Sequence, residues 1–155
     1  MRYLVSVVVA CLFPAHMFAQ QVSNINFGEI EILSTDSTSE YYFPILYKRF
    51  QEQDTTMTFK HYKFLYYGQA YSDQYNPVTV SETEKQFNEA FASENFSEAV
   101  TLGEAVLKEY AVNLGVVVKM FIAHQGLGDE DQVPVYIRQM SELITVIANS
   151  GDGES

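Results

Sequence analysis

The chain has 155 residues, with 9 basic against 20 acidic side chains and a net charge of −11. That balance repels phosphate backbones and anionic lipid surfaces, so a nucleic-acid partner is excluded. No stretch carries a catalytic or metal-binding signature, and what can be read first is address, class and architecture.

Met1, Arg2 and Tyr3 precede an uncharged, mostly apolar run, Leu4 to Ala19, and small Ala19 stands before Gln20 and Gln21. The run is shorter than the roughly 20 residues a membrane-spanning helix needs, and polar residues follow it without a positive flank. Residues 1–19 therefore read as an export signal cut after Ala19, which makes the protein periplasmic or secreted, with no membrane span in its mature chain. Val8, Val9 and Ala10 before Cys11 offer an alternative, a lipoprotein anchored at Cys11, although Leu12 to Ala19 continues the apolar run past it. A cut after Ala19 removes the only cysteine and leaves 136 residues, enough for one domain (20–155) whose core holds by packing alone.

Along that domain, Phe27, Ile30 and Leu33 stand at helical spacing, weakened by Gly28, and Ser34 to Ser39 is a loop by composition, with Ser39 a candidate cap. Tyr41 to Tyr75 holds 8 of the 11 tyrosines and 4 of the 11 phenylalanines, which marks it as a packing wedge. Pro44 places a helix start near itself, with Leu46, Tyr47 and Phe50 on one face. Thr58 is an N-cap for a second helix over Phe59 to Tyr67, and Gly68 stands where a left-handed C-cap residue belongs. The two helices predict an aromatic hairpin, residues 41–68, whose facing surfaces are Phe50, Phe59, Tyr62, Leu65 and Tyr66. Residues 69–80, with Tyr71, Tyr75, Asn76 and Pro77, read as an ordered loop packed by its own aromatics.

Ser81 followed by Glu84 is a capping-box pattern that opens a helix over Glu82 to Ser93, with Phe87, Ala90 and Phe91 on one side. Asn95 and Phe96 make a turn, and Ser97 caps a helix to about Tyr110 lined by Ala99, Val100, Val106 and Leu107. A third runs from Leu114 to Leu127 and ends at Gly128 and Asp129. A fourth spans Asp131 to Ala148, with Pro134 in its first turn and Val133, Ile137, Met140, Ile144 and Ile147 at helical spacing. Residues 81–149 thus form two helical hairpins offset by 34 residues, the tetratricopeptide period, although Gly103, Ala111, His124 and Val133 depart from that repeat's preferences; a generic helical hairpin array is the alternative. Two hairpins bury little apolar surface alone, so the aromatic hairpin is expected to cover their open end, with Phe50 and Tyr66 against the helix opened by Ser81. The fold class is all-α, an N-terminal aromatic helical hairpin packed on a two-hairpin tetratricopeptide-like array.

YYFPILYKRF, then DTTMT, HYKFLYYG and QYNP, together resemble the secreted bacterial family catalogued as domain of unknown function 4919, over about Phe27 to Gly153. The resemblance implies an exported protein of Gram-negative bacteria and no activity, substrate or catalytic residues. Members usually continue past the SGDG turn, whereas this chain stops at Ser155, so the resemblance leaves room for a missing C-terminal piece.

Neither His61 nor His124 has the i+4 histidine partner or HExxH setting of a hydrolytic zinc site. His61 fits a ring bonded at the aromatic margin, and His124 a partial positive charge near a helix C-terminus. Asp129, Glu130 and Asp131 suit a helix N-terminus and lack the spacing of a calcium loop, and Asp152 and Glu154 read as a turn. Gly126 and Gly128 mark a helix end, with no phosphate-cradling loop. No cofactor, metal or catalytic residue is assigned. The expected role is an exported, non-enzymatic scaffold that binds a protein or peptide partner in a groove of its stacked hairpins. The alternative is a small-molecule or glycan module with Tyr66, Tyr67, Tyr71 and Tyr75 as stacking platforms. A hydrolase with two separated carboxylates stands third.

Overall fold

The computed structural model describes residues 25–73, 75, 80–110 and 112–150. The expected export signal, Cys11, Asn76, Pro77 and the Asp152–Glu154 turn lie outside them. Among the described residues the regular elements are all helical, which establishes the all-α class of packed hairpins.

Helix α1, Phe27–Thr35, is opened by Asn26, whose side chain accepts the Glu29 N–H at 3.1 Å. Its buried residues are Ile30 and Ser34, while Phe27 stays 48% exposed, so the inward stripe lies beside the expected one. Helix α2, Phe43–Gln51, carries Pro44 in its first turn, as its fixed φ favours. Ser39 does not cap it. The Ser39 hydroxyl accepts the Tyr41 N–H at 3.0 Å, and the Tyr42 carbonyl takes the first helical bonds, from Ile45 and Leu46.

A tight link follows, in which Gln53 is left-handed at φ 58° and the Asp54 carboxylate accepts bonds from the Thr56 hydroxyl and N–H and from Arg49 Nε. Those three donors, Thr56 first, hold the Asp54 carboxyl well below the usual carboxylate range. Helix α3, Phe59–Gly68, has Thr58 at its N-cap, and His61 Nδ1 accepts the Thr58 N–H at 2.9 Å.

Gly68 is not a left-handed cap. Its φ is −66°, the chain continues into a 3-10 turn at Gln69–Tyr71, and a Cβ there would stand 2.8 Å from Ser34 Cβ. Glycine is needed because α1 and α3 approach that closely, and a C-cap glycine and a contact glycine look alike in sequence.

Helix α4, Glu82–Ala92, is capped by Ser81, whose hydroxyl accepts the Glu84 N–H at 3.1 Å. Helix α5, Phe96–Glu109, starts two residues earlier than expected, with Asn95 and not Ser97 at its N-cap. Left-handed Glu94, at φ 59°, makes the reversal that Asn95 and Phe96 were expected to make. Helix α6, Leu114–Leu127, begins at Asn113 and ends at Gly128, left-handed at φ 70° as anticipated.

Helix α7, Val133–Ser150, keeps Pro134 in its first turn but turns a different face inward. Tyr136, Gln139, Leu143 and Val146 are buried, whereas Ile137 and Ile144 are 43% and 46% exposed. The expected stripe is apolar on an edge that no neighbouring helix fully covers.

Helices α4 to α7 pack in succession around fully buried Phe87, Ala99, Val106, Val117 and Met120. Gly103 allows this layer to close, because a Cβ there would lie 2.9 Å from the Phe87 ring and against Met120. The starts of α4 and α6 are 32 residues apart and those of α5 and α7 are 37 apart, which brackets the 34-residue offset.

The aromatic hairpin docks elsewhere than expected. It lies on α7 and the end of α5, not on the helix opened by Ser81: α3 packs on α7, with α1 and α2 packed on α3. Gln139 Nε2 donates to the Phe50 carbonyl at 3.0 Å, Arg138 Nη2 to the Gln53 carbonyl at 3.0 Å, and the Tyr47 hydroxyl to the Leu107 and Lys108 carbonyls. The Leu107 and Lys108 carbonyls lie in the last turn of α5, where a helix leaves its carbonyls without an internal partner, whereas the Phe50 carbonyl accepts the Gln53 N–H as well. These bonds join residues 60 to 89 positions apart, a distance over which local pattern carries no information.

Candidate functional site

A hollow of about 550 Å³ opens where α3 meets the C-terminal half of α7. Phe59, Lys63 and Tyr67 project from one side at i, i+4 and i+8, and Glu142, Thr145 and Asn149 from the other, with Ile25 and Val146 at its base. Phe59 was expected inside the hairpin and is 41% exposed, because the buried face of α3 runs through Tyr62, Phe64, Leu65 and Gly68. The opposite wall is held by helix-internal bonds: Thr145 Oγ1 donates to the Ser141 carbonyl at 2.7 Å, and Asn149 Nδ2 to the Thr145 carbonyl at 2.8 Å. That leaves the Asn149 carbonyl oxygen as an acceptor for a ligand. Among the described residues neither Lys63 nor Glu142 belongs to an ion pair, so the cleft presents one cation and one anion on facing helices.

The four tyrosines singled out in the sequence do not converge. Tyr67 lines this cleft, its ring edge-on to Phe27 at 5.8 Å and to Tyr66 at 4.9 Å. Tyr66 is half-buried behind it. Tyr71 lines a separate hollow of about 380 Å³ with Tyr42 and Tyr47, and its hydroxyl donates to the Phe27 carbonyl at 3.3 Å. Tyr75 is 43% exposed in the following loop. The signal that would have found the cleft is the polar series Glu142, Thr145 and Asn149 at i, i+3 and i+7, overlooked because the neighbouring isoleucines made a stronger pattern.

Both histidines among the described residues, His61 and His124, are engaged in the fold. His124 is 4% exposed, stacked on Tyr136 at 5.0 Å, and its Nδ1 lies 3.0 Å from Asp129 Oδ2. The other Asp129 oxygen accepts the Gln132 N–H, so this carboxylate ties the end of α6 to the start of α7. The Tyr136 hydroxyl is pushed up to about 12 by burial first, then by the charges of Glu104 and Asp129. His61 is held below its ordinary value, mainly by burial and the Arg49 guanidinium, which suits a neutral ring that accepts the Thr58 N–H. Among the described residues no three His, Cys, Asp or Glu side chains gather as metal ligands, and no helix is long and apolar enough to cross a membrane.

The family model described as Domain of unknown function (DUF4919) matches residues 28–155. The chain belongs to that family. No curated protein and no solved structure matches it. Membership in DUF4919 carries no reaction with it, so any functional reading rests on the cleft.

Proposed function

We propose that this DUF4919 protein is an exported, non-enzymatic binding protein that holds a short extended peptide of a protein partner in the cleft between α3 and α7. One observation carries the reading: Phe59 and Tyr67 offer apolar area on one wall while Asn149, Lys63 and Glu142 offer an amide and two opposite charges around it. A peptide matches that set, since it brings side chains for the rings and backbone groups for the amide. Export is supported by the apolar run Leu4 to Ala19 behind Arg2. The use of His61 and His124 in the fold favours binding over acid–base chemistry.

The test is selection from a random-peptide display library, followed by calorimetry. Enriched peptides should bind the wild type, and Phe59→Ala should weaken them roughly tenfold or more, the size of one lost aromatic anchor. Peptides that bind Phe59→Ala equally well would remove the cleft from the account. A second reading, a glycan stacked on the Phe59 and Tyr67 rings, is favoured by their facing the same opening, and a glycan array would reveal it.

A further inference from the structure

Helices α6 and α7 expose a face unlike the rest of the molecule. On a chain of net charge −11, α4 and α5 expose Glu82, Lys85, Glu89, Glu98, Glu104 and Lys108 to solvent. Every exposed residue of α6 and α7 is uncharged, and their charged residues, Lys119, Arg138 and Glu142, are all half-buried. On α7 Ile137 and Ile144 are 43% and 46% exposed, and on α6 Ile122 is 39% exposed. Val133, Ile137, Met140, Ile144 and Ile147 recur at alternating steps of four and three, the spacing of a helix-pairing seam, yet the helices beside α7 leave much of that seam uncovered.

We propose that a second copy of this chain covers the face, with the two α7 helices antiparallel across a two-fold axis that passes beside Ser141. Two arguments select this occupant. Bodies of the same strong negative charge repel, so they meet most readily where exposed ionised side chains are absent, and α6 and α7 expose none, the exposed Glu130 and Asp131 being confined to the turn between them. The seam is also matched to its own reverse: two apolar positions lie on each side of the central Met140 and Ser141, so Ile137 of one copy falls beside Ile144 and Ile147 of the other. Such self-matching is what a two-fold interface requires. Helix α7, at 18 residues, is about 27 Å long, enough to bring the whole seam into contact. The α3–α7 cleft opens on another face of α7 and stays accessible.

Light scattering coupled to size exclusion tests this on the purified protein at about 100 µM, where a micromolar dimer is largely assembled. The wild type should show twice the mass of one chain, and the pairing should tighten with added salt as the repulsion between the acidic bodies is screened. Ile137→Glu and Ile144→Lys should each lower the mass to one chain with unchanged circular dichroism, and an equimolar mixture of the two should restore the dimer. Ser141→Lys, at an exposed position by the axis, should separate the copies without touching an apolar residue. A wild type that stays monomeric, whether or not another protein binds this face, would overturn the proposal. So would variants that remain dimeric, or a mixture that fails to pair.

Discussion

Gly68→Ala sets two effects of opposite sign against each other. At a right-handed helical position, alanine in place of glycine is worth up to roughly 1 kcal/mol of stabilisation, and Gly68 is the last such residue of α3. Here the new Cβ would lie 2.8 Å from Ser34 Cβ, an atom one bond from the α1 backbone, so a side-chain rotation cannot relieve it and the two helices must part. Overpacking of that kind costs about 1–3 kcal/mol, so the net effect is a loss of up to about 3 kcal/mol. If Ser34→Gly first removes the opposing Cβ, the alanine is accommodated and its helical advantage returns. Urea unfolding of the wild type, both single variants and the double variant should therefore give a coupling of about 1–3 kcal/mol between positions 34 and 68. Additive effects, or a Gly68→Ala that stabilises the wild type as much as it does the Ser34→Gly protein, would refute the close approach of α1 and α3.

Phe50 is 3% exposed with its ring edge-on to Tyr62, so Phe50→Ala should cost about 3–5 kcal/mol in chemical denaturation, whereas Ile32→Ala, at 67% exposure, should stay within about 0.5 kcal/mol of the wild type. The folded pKa of His61 is lowered, so its contribution to stability is fully present above about pH 6.5 and is lost as pH falls through the lower folded value; melting temperatures should drop across that window in the wild type and less in His61→Gln. Burial pushes the Tyr47 and Tyr136 hydroxyls up to about 12, so their stabilisation is complete below about pH 10 and lost as pH rises toward 12. In an ultraviolet titration these two rings should ionise after most of the others, together with unfolding; Tyr47→Phe and Tyr136→Phe should each remove part of the late phase.

Features set by a few adjacent residues were legible in the chain. Pro44 fixed a helix start through its φ, Thr58 and Ser81 announced theirs through hydroxyls that meet N–H groups, and Gly128 ended α6 because it alone among these needs φ near +70°. Legibility stopped where one pattern served two purposes. On α7 the isoleucine stripe was the stronger periodic signal, yet the buried face runs through Tyr136, Gln139, Leu143 and Val146, and Gln139 is inside because it meets the Phe50 carbonyl. Gly68 shows the same ambiguity between a chain reversal and a helix contact. The site was the least legible part, since its two walls come from α3 and α7, which nothing local relates. The aromatic hairpin was recognisable as a packing unit from its composition, but its partner was not. Both α4 and α7 offered apolar faces, and the choice rests on carbonyl-directed bonds from Gln139 and Arg138.

The cleft exists only while α3 stays on α7, so the central claim is that the aromatic hairpin and the helical stack are one cooperative body. The chain contains no tryptophan and 8 of its 11 tyrosines lie between Tyr41 and Tyr75, so tyrosine emission reports mainly on the hairpin, while far-ultraviolet circular dichroism reports on all the helices. Urea unfolding of the wild type followed by both signals should give one shared midpoint and one slope. A tyrosine transition completed at lower urea than the helical one would show that the hairpin leaves the stack independently, and would contradict the docking on α7 from which the cleft is built.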